Sequence, residues 1–161
     1  ELFIEPGRSY IRPKRNSMHP TLEDAIRLAV EAHQGQLDKV GQPYILHPLR
    51  VMFRLETVPE RIVGVLHDVI EDTRFTPDDL RRLGYSEQIL AALDCVTKRE
   101  GECYEDFVQR SKSDPIARKV KLADLEDNMD IRRMIGVTPK DMERLARYRK
   151  AWAELQVPTV G

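Results

Sequence analysis

Apolar residues recur along this chain at intervals of three and four, the period of a helix face, and almost nowhere at the alternation of a strand. Leu22, Ile26, Ala29, Val30 and His33 share one face, with Thr21 and Asp24 reading as an N-cap arrangement and Gly35 as the stop. Gln36 to Tyr44 predicts a loop, punctuated by Gly41 and Pro43. His47-Pro48 opens a second helix carrying Leu49, Val51, Met52 and Leu55. Pro59 introduces a third, ERIVGVLHDVIEDT, whose apolar residues are dense enough for a central position. A short helix runs from Thr76-Pro77 to Gly84, and Ser86 caps the next, EQILAALDCVT. Tyr104 to Ser111 and Asp114 to Asp130 predict two more, and Thr138-Pro139 starts the last, with Pro158 beyond its end. No repeat of solenoid length appears. The expected architecture is all-α, a single-domain orthogonal bundle of seven or eight helices.

The first seventeen residues, ELFIEPGRSYIRPKRNS, mix Pro, Gly and basic residues without helical period. The chain begins at Glu1, and Met18 stands as a candidate native start. The expected division is an arm or foreign leader over 1–20, one domain over 21–157 and a tail at 158–161. Hydrophobic residues make up 41% of the 161, enough for a core. Lys+Arg 26 nearly cancels Asp+Glu 27, so the formal charge is -1, which argues against a surface built to coat nucleic acid. No apolar run reaches the length of a membrane span, and no signal peptide opens the chain. Cys95 and Cys103 do not make a disulfide framework, so a reducing cytoplasm is the expected compartment. A homo-oligomer is left open.

Candidate chemistry concentrates in LHDVIEDTRF. His67 and Asp68 are each followed at i+4 by an acid, Glu71 and Asp72, so a helix would set them in two neighbouring columns. A solvated column is the bland reading of an HD pair. Val63, Val65, Leu66, Val69 and Ile70 around it count against that, because buried ionisable groups need counter-charges and a metal ion supplies them. In VKLADLEDNMD, Asp124 follows Val120, Leu122 and Ala123 and is expected to point inward, with Asp127 and Asn128 at i+3 and i+4. Glu126, Asp127 and Asp130 read as ordinary solvated charges. His47, in PYILHP, is directed inward by its neighbours. Alone it reads as a core histidine; beside His67, Asp68 and Asp124 it completes a mononuclear set with positions left for water. His33 reads as structural or as a support for the loop, and His19 as exposed.

The blocks AHQGQLDKVGQPYILHPLRV, VLHDVIEDT and VKLADLEDNM, in this order, resemble the hydrolase domain of the RelA/SpoT family of alarmone enzymes and its stand-alone small hydrolases. The resemblance runs from about Thr21 to Leu155 and places the chain in the HD phosphohydrolase superfamily. It implies an all-α, metal-dependent enzyme with His47, His67, Asp68 and Asp124 as ligands, usually of Mn²⁺. It further implies that Glu71 and Asp72 orient and activate water, and that Lys39 meets the substrate's phosphates. Asn128 lies near the nucleoside and Tyr148 near the ribose or base, while Lys98 and Arg99 offer further pyrophosphate contacts.

The implied reaction removes the 3′-pyrophosphate of (p)ppGpp or (p)ppApp. The family's separate synthetase domain has no room in 161 residues, so hydrolysis alone is expected. Two positions depart from the pattern. Asp38 stands where the family has an arginine packed on guanine, which leaves the base preference open, and Ile131 replaces a threonine. The same metal core would serve an HD enzyme acting on a dNTP or on the 2′-phosphate of NADPH. A non-catalytic nucleotide-binding module is the alternative outside enzymes.

Overall fold

Local capping chemistry decides where the helices begin. The computed structural model describes residues 19–134 and 136–157. Its elements are α1 (Leu22–Ala32), α2 (Leu46–Phe53), α3 (Val58–Leu66), α4 (Val69–Asp72), α5 (Pro77–Arg82), α6 (Glu87–Val96), α7 (Tyr104–Ser113), α8 (Pro115–Asn128), a 3₁₀ turn (Ile131–Arg133) and α9 (Pro139–Gln156). Thr21, Thr57, Thr76 and Thr138 each accept the amide three residues on, and the acid there accepts the threonine amide in return. Ser86 and Asp114 cap α6 and α8. Each such cap is worth about 1 kcal/mol. Among the described residues the only strand-like pairing is an isolated bridge, Leu37 with Pro43. The arm, apart from His19 and Pro20, and the tail at 158–161 lie outside the described residues.

The third helix expected from Pro59 through the HD pair does not continue unbroken. α3 ends at Leu66, α4 starts at Val69, and His67-Asp68 form the corner between them, which adds a ninth helix to the expected count. Successive residues on a helix project about 100° apart, so a regular helix restricts how closely two adjacent side chains converge. The corner, with Asp68 at φ -96° and ψ -5°, removes that restriction. His67 Nδ1 lies 2.8 Å from the carbonyl of Gly64, serving a group that the helix end would leave unpaired. The expected column of Asp68 and Asp72 survives, because the Asp72 amide donates to the Asp68 carbonyl across the corner at 2.9 Å.

α3 is the innermost element. Val63, Val65 and Leu66, with Val69 just beyond, are wholly buried, and α1, α2, α6 and α8 pack around them. Gly64 leaves room for the Leu55 side chain, which follows α2 and which a Cβ there would meet. A second cluster, Val108, Leu125, Ala151 and Leu155, joins α7, α8 and α9. α8 therefore serves both cores, with Val120 and Ala123 in the first and Leu125 in the second.

The loop between α6 and α7 is held by one guanidinium. Arg110 donates to both Glu102 oxygens, at 2.8 and 2.7 Å, and to the Thr97 carbonyl at 2.8 Å, and it reaches the Asp94 carbonyl as well. These bonds from Arg110 hold the Glu102 carboxyl down at about 2. A depressed carboxyl stabilises the fold above its unfolded pKa and loses that contribution as pH falls through the folded one. Glu102→Gln should therefore be less stable than the parent at pH 6. In denaturant titrations the gap should close as pH drops from about 4.5 towards about 2. A gap independent of pH would show that the pair does not stabilise the loop.

Candidate metal centre and active site

Four side chains from three elements meet at one buried point. His47 comes from the first turn of α2, His67 and Asp68 from the corner after α3, and Asp124 from α8. His47 Nε2 lies 3.3 Å from Asp124 Oδ1 and 3.5 Å from Asp68 Oδ2. His67 Nε2 lies 3.1 Å from Asp68 Oδ2 and 3.7 Å from Asp124 Oδ1. Ligand atoms bound to one ion at roughly 2.1 Å stand roughly 3.0–3.5 Å apart along the edges of a tetrahedron or octahedron. Donor atoms of His47, His67 and Asp124 also lie within 4.8 Å of one another.

The hydrogen bonds of the imidazoles fit a cation. His67 Nδ1 faces a carbonyl, which can only accept, so that nitrogen carries a hydrogen and Nε2 is the one turned to the centre. His67 Nε2 is buried with no hydrogen-bond partner, although Asp68 Oδ2 stands close to it. His47 Nδ1 lies 2.7 Å from Asp127 Oδ2, which likewise turns Nε2 towards the centre. Burial works against charge on either imidazole, yet Asp124 and Asp127 raise His47 and Asp68 raises His67. Burial likewise opposes ionisation of Asp124 and Asp68, but Lys121 and the imidazoles hold the first down and His67 the second. The point where the four atoms meet attracts positive charge. A divalent ion with mixed imidazole and carboxylate ligands satisfies it.

The acids expected to handle water lie beside this point. Glu71 Oε2 accepts the Lys98 amide at 3.0 Å, which ties α4 to the α6–α7 loop. Burial and the neighbouring Asp68 charge raise the Asp72 carboxyl, which makes it a better base than an ordinary aspartate. Both acids line a cavity of about 710 Å³, together with Asp38, Lys39, Lys98, Asn128 and Tyr148. Asn128 also donates to Asp124 Oδ1. Asp38 spends Oδ1 on the amides of Val40 and Gln42, at 3.0 and 2.8 Å, bracing a turn that Gly41 completes at φ +80°. Arg99 does not line the cavity; it turns to Asp94 at 2.6 Å with its side chain 57% exposed.

Three residues at the site lie outside the expected set. Asp127, read from the sequence as a solvated charge, is 1% exposed and binds His47, Arg50 and Arg133. It lies three residues after Asp124 and so shares its face of α8, a signal present in the sequence but offset there by its charged neighbours. The Tyr44 hydroxyl lies 2.7 Å from Asp68 Oδ2 and 3.2 Å from Asp72 Oδ2, and so links a candidate ligand to the candidate base. Lys121 Nζ pairs with Asp124 Oδ2 at 2.9 Å and sits 4.6 Å over the Phe107 ring. His33 ends α1 buried, with Nδ1 2.8 Å from Gln36 Oε1 and its ring 5.0 Å from Tyr44, and so supports the loop as expected. His19 is exposed, with Nδ1 3.0 Å from the Gly84 carbonyl.

Comparison with known proteins follows from this geometry. No protein-family model matches the chain. A GTP pyrophosphokinase of Streptomyces coelicolor is 34% identical over 139 residues, 78% of this chain and 16% of that protein. A guanosine-3′,5′-bis(diphosphate) 3′-pyrophosphohydrolase of Aquifex aeolicus is 31% identical over 123 residues, 67% of this chain and 17% of that protein. The chain thus spans about a sixth of the length of these curated relatives. Among solved structures, a metazoan orthologue of SpoT described as hydrolysing ppGpp matches with a TM-score of 0.68. Its identity is 19%, over 89% of this chain and 88% of that one, and the shared feature is the all-α fold.

Tyr44→Phe removes the one hydroxyl hydrogen that Asp68 and Asp72 share. A hydrogen bond to a charged acceptor contributes about 1.5–3 kcal/mol. The variant should lose stability within that range in equilibrium denaturation while keeping its helical circular dichroism. Unchanged stability would mean that the phenol is not bonded to Asp68 in solution.

Proposed function

We propose that this chain, which carries a RelA/SpoT-type hydrolase domain, removes the 3′-pyrophosphate of nucleotide alarmones, (p)ppGpp and (p)ppApp, with Mn²⁺ bound by His47, His67, Asp68 and Asp124. The observation that carries this reading is the cluster of His47, His67 and Asp124, with Asp68 against both imidazoles, opening on a cavity lined by Glu71, Asp72 and lysines. The ion would polarise a phosphoryl oxygen and acidify water. Glu71 or Asp72 takes the water's proton as its oxygen attacks the phosphorus carried on the ribose 3′-oxygen. That P–O bond breaks, the proton is passed on to the 3′-oxygen, and the products are pyrophosphate and a nucleoside 5′-di- or triphosphate. Lys39 and Lys98 match the charge of the departing pyrophosphate, a task suited to ammonium donors. Asn128 and Tyr148 hold the nucleoside from the other wall. Compartment and partners follow from the reading: a small-molecule nucleotide in the cytoplasm. No helix among the described residues is long and apolar enough to cross a membrane.

Base selection is the finer part of the proposal. A guanidinium stacks on a purine, and a carboxylate engaged with its own turn does not. With Asp38 bracing the 38–42 turn, the chain offers no stacking cation at that position. Adenosine alarmones should then be hydrolysed at least as well as guanosine ones.

Two experiments test this. Chelation should abolish turnover and Mn²⁺ should restore it best. Glu71→Gln and Asp72→Asn should keep the ion and lose about 10²–10⁴-fold in kcat, the size of a general acid–base contribution. Release of pyrophosphate at the parent rate by the metal-free protein would overturn the reading. Secondly, ppGpp and ppApp mixed at equal concentration report the ratio of their specificity constants. A strong guanosine preference that Asp38→Asn leaves unchanged would exclude the assignment of base selection to this loop.

A further inference from the structure

Asp127 is buried to 1% exposure and lies outside the set of four candidate ligands, yet one of its three side-chain partners, His47, belongs to that set. Its Oδ2 lies 2.7 Å from His47 Nδ1. Arg50 grips both oxygens, Nε on Oδ1 at 2.8 Å and Nη2 on Oδ2 at 3.0 Å. Arg133 adds Nη2 on Oδ2 at 3.0 Å and a second bond to the Asp127 carbonyl. Arginine presents donors only, so the carboxylate is locked as an acceptor in one orientation. The third group on it, His47 Nδ1, must then be a donor as well.

We propose that Asp127, clamped by Arg50 and Arg133, is a positioning residue that fixes the tautomer and ring angle of His47 and so sets the affinity of the centre for its ion. The proposal rests on the metal centre described above. Asp124 and Asp127 sit at i and i+3 on one face of α8, so a single helical turn supplies one ligand and the support of another. His47 stands on α2, 80 positions away in sequence from Asp127, and Arg50 lies three residues after it on the same helix. The two helices are thereby keyed to each other at the centre. Arg133 extends the contact outward, since it also lines the substrate cavity.

The test uses the full chain, Mn²⁺ alone as the probe, and Asp127→Asn, which keeps the shape and removes the charge. Loss of such an outer partner costs about 10–100-fold in metal affinity. Asp127→Asn should bind Mn²⁺ more weakly by that factor in calorimetry or by electron paramagnetic resonance, with far-ultraviolet circular dichroism unchanged. Saturating Mn²⁺ should recover most of the turnover, a split that a directly reacting group would not give. In the metal-free protein at alkaline pH, imidazole ¹⁵N shifts should report one Nδ1–H tautomer of His47 in the parent and a mixture in the variant. Should Asp127→Asn fail to fold, Arg50→Gln supplies the same comparison with the carboxylate retained but half released. Parent-like Mn²⁺ affinity in a folded Asp127→Asn protein would overturn the proposal. A parent chain that binds no Mn²⁺ would instead end the metal reading, and the tautomer measurement would still decide whether Asp127 orients His47.

Discussion

Everything at the centre depends on bringing two imidazole lone pairs and two carboxylates to one point inside an apolar bundle. Unpaired, such groups are costly to bury. The chain meets that cost by giving each of them a further polar partner. The Gly64 carbonyl takes one imidazole N–H and Asp127 the other, Tyr44 reaches Asp68, and Lys121 and Asn128 hold the two oxygens of Asp124. The two imidazole Nε2 atoms are left facing the carboxylates, and the bonds at Nδ1 fix their direction.

That arrangement explains features of the bundle that packing alone does not require. The corner at His67-Asp68 interrupts the most buried helix, giving up helical regularity so that neighbouring residues can face one point. α8 runs between the two cores with an acidic face towards α2, and Arg50 and Arg133 balance the carboxylate that this leaves inside. A net charge of -1 for the whole chain conceals this local structure of alternating signs.

The cavity is assembled from loops that are themselves braced. Asp38 closes the 38–42 turn from within, Arg110 holds the loop that carries Lys98, and the Lys98 amide in turn steadies Glu71. Such bracing fixes where the polar groups of the cavity stand relative to one another.

Much of the fold was legible in sequence because it is local. Thr21, Thr76, Ser86 and Thr138 cap helices with partners only a few residues away, and apolar spacing marks which faces go inward. The approach of His47, His67, Asp68 and Asp124 was also legible, since each sits among apolar neighbours that leave a polar side chain no easy route to water. The rest depends on which element faces which. Nothing near Asp127 in sequence announces Arg50 or His47, 77 and 80 positions away, and nothing near Tyr44 announces Asp68. Sequence by itself determined where most helices begin, their buried faces and four of the inward polar groups, His47, His67, Asp68 and Asp124. Tertiary structure alone decided how those groups are oriented, because hydrogen-bond direction is set by partners that the chain meets only after it has folded.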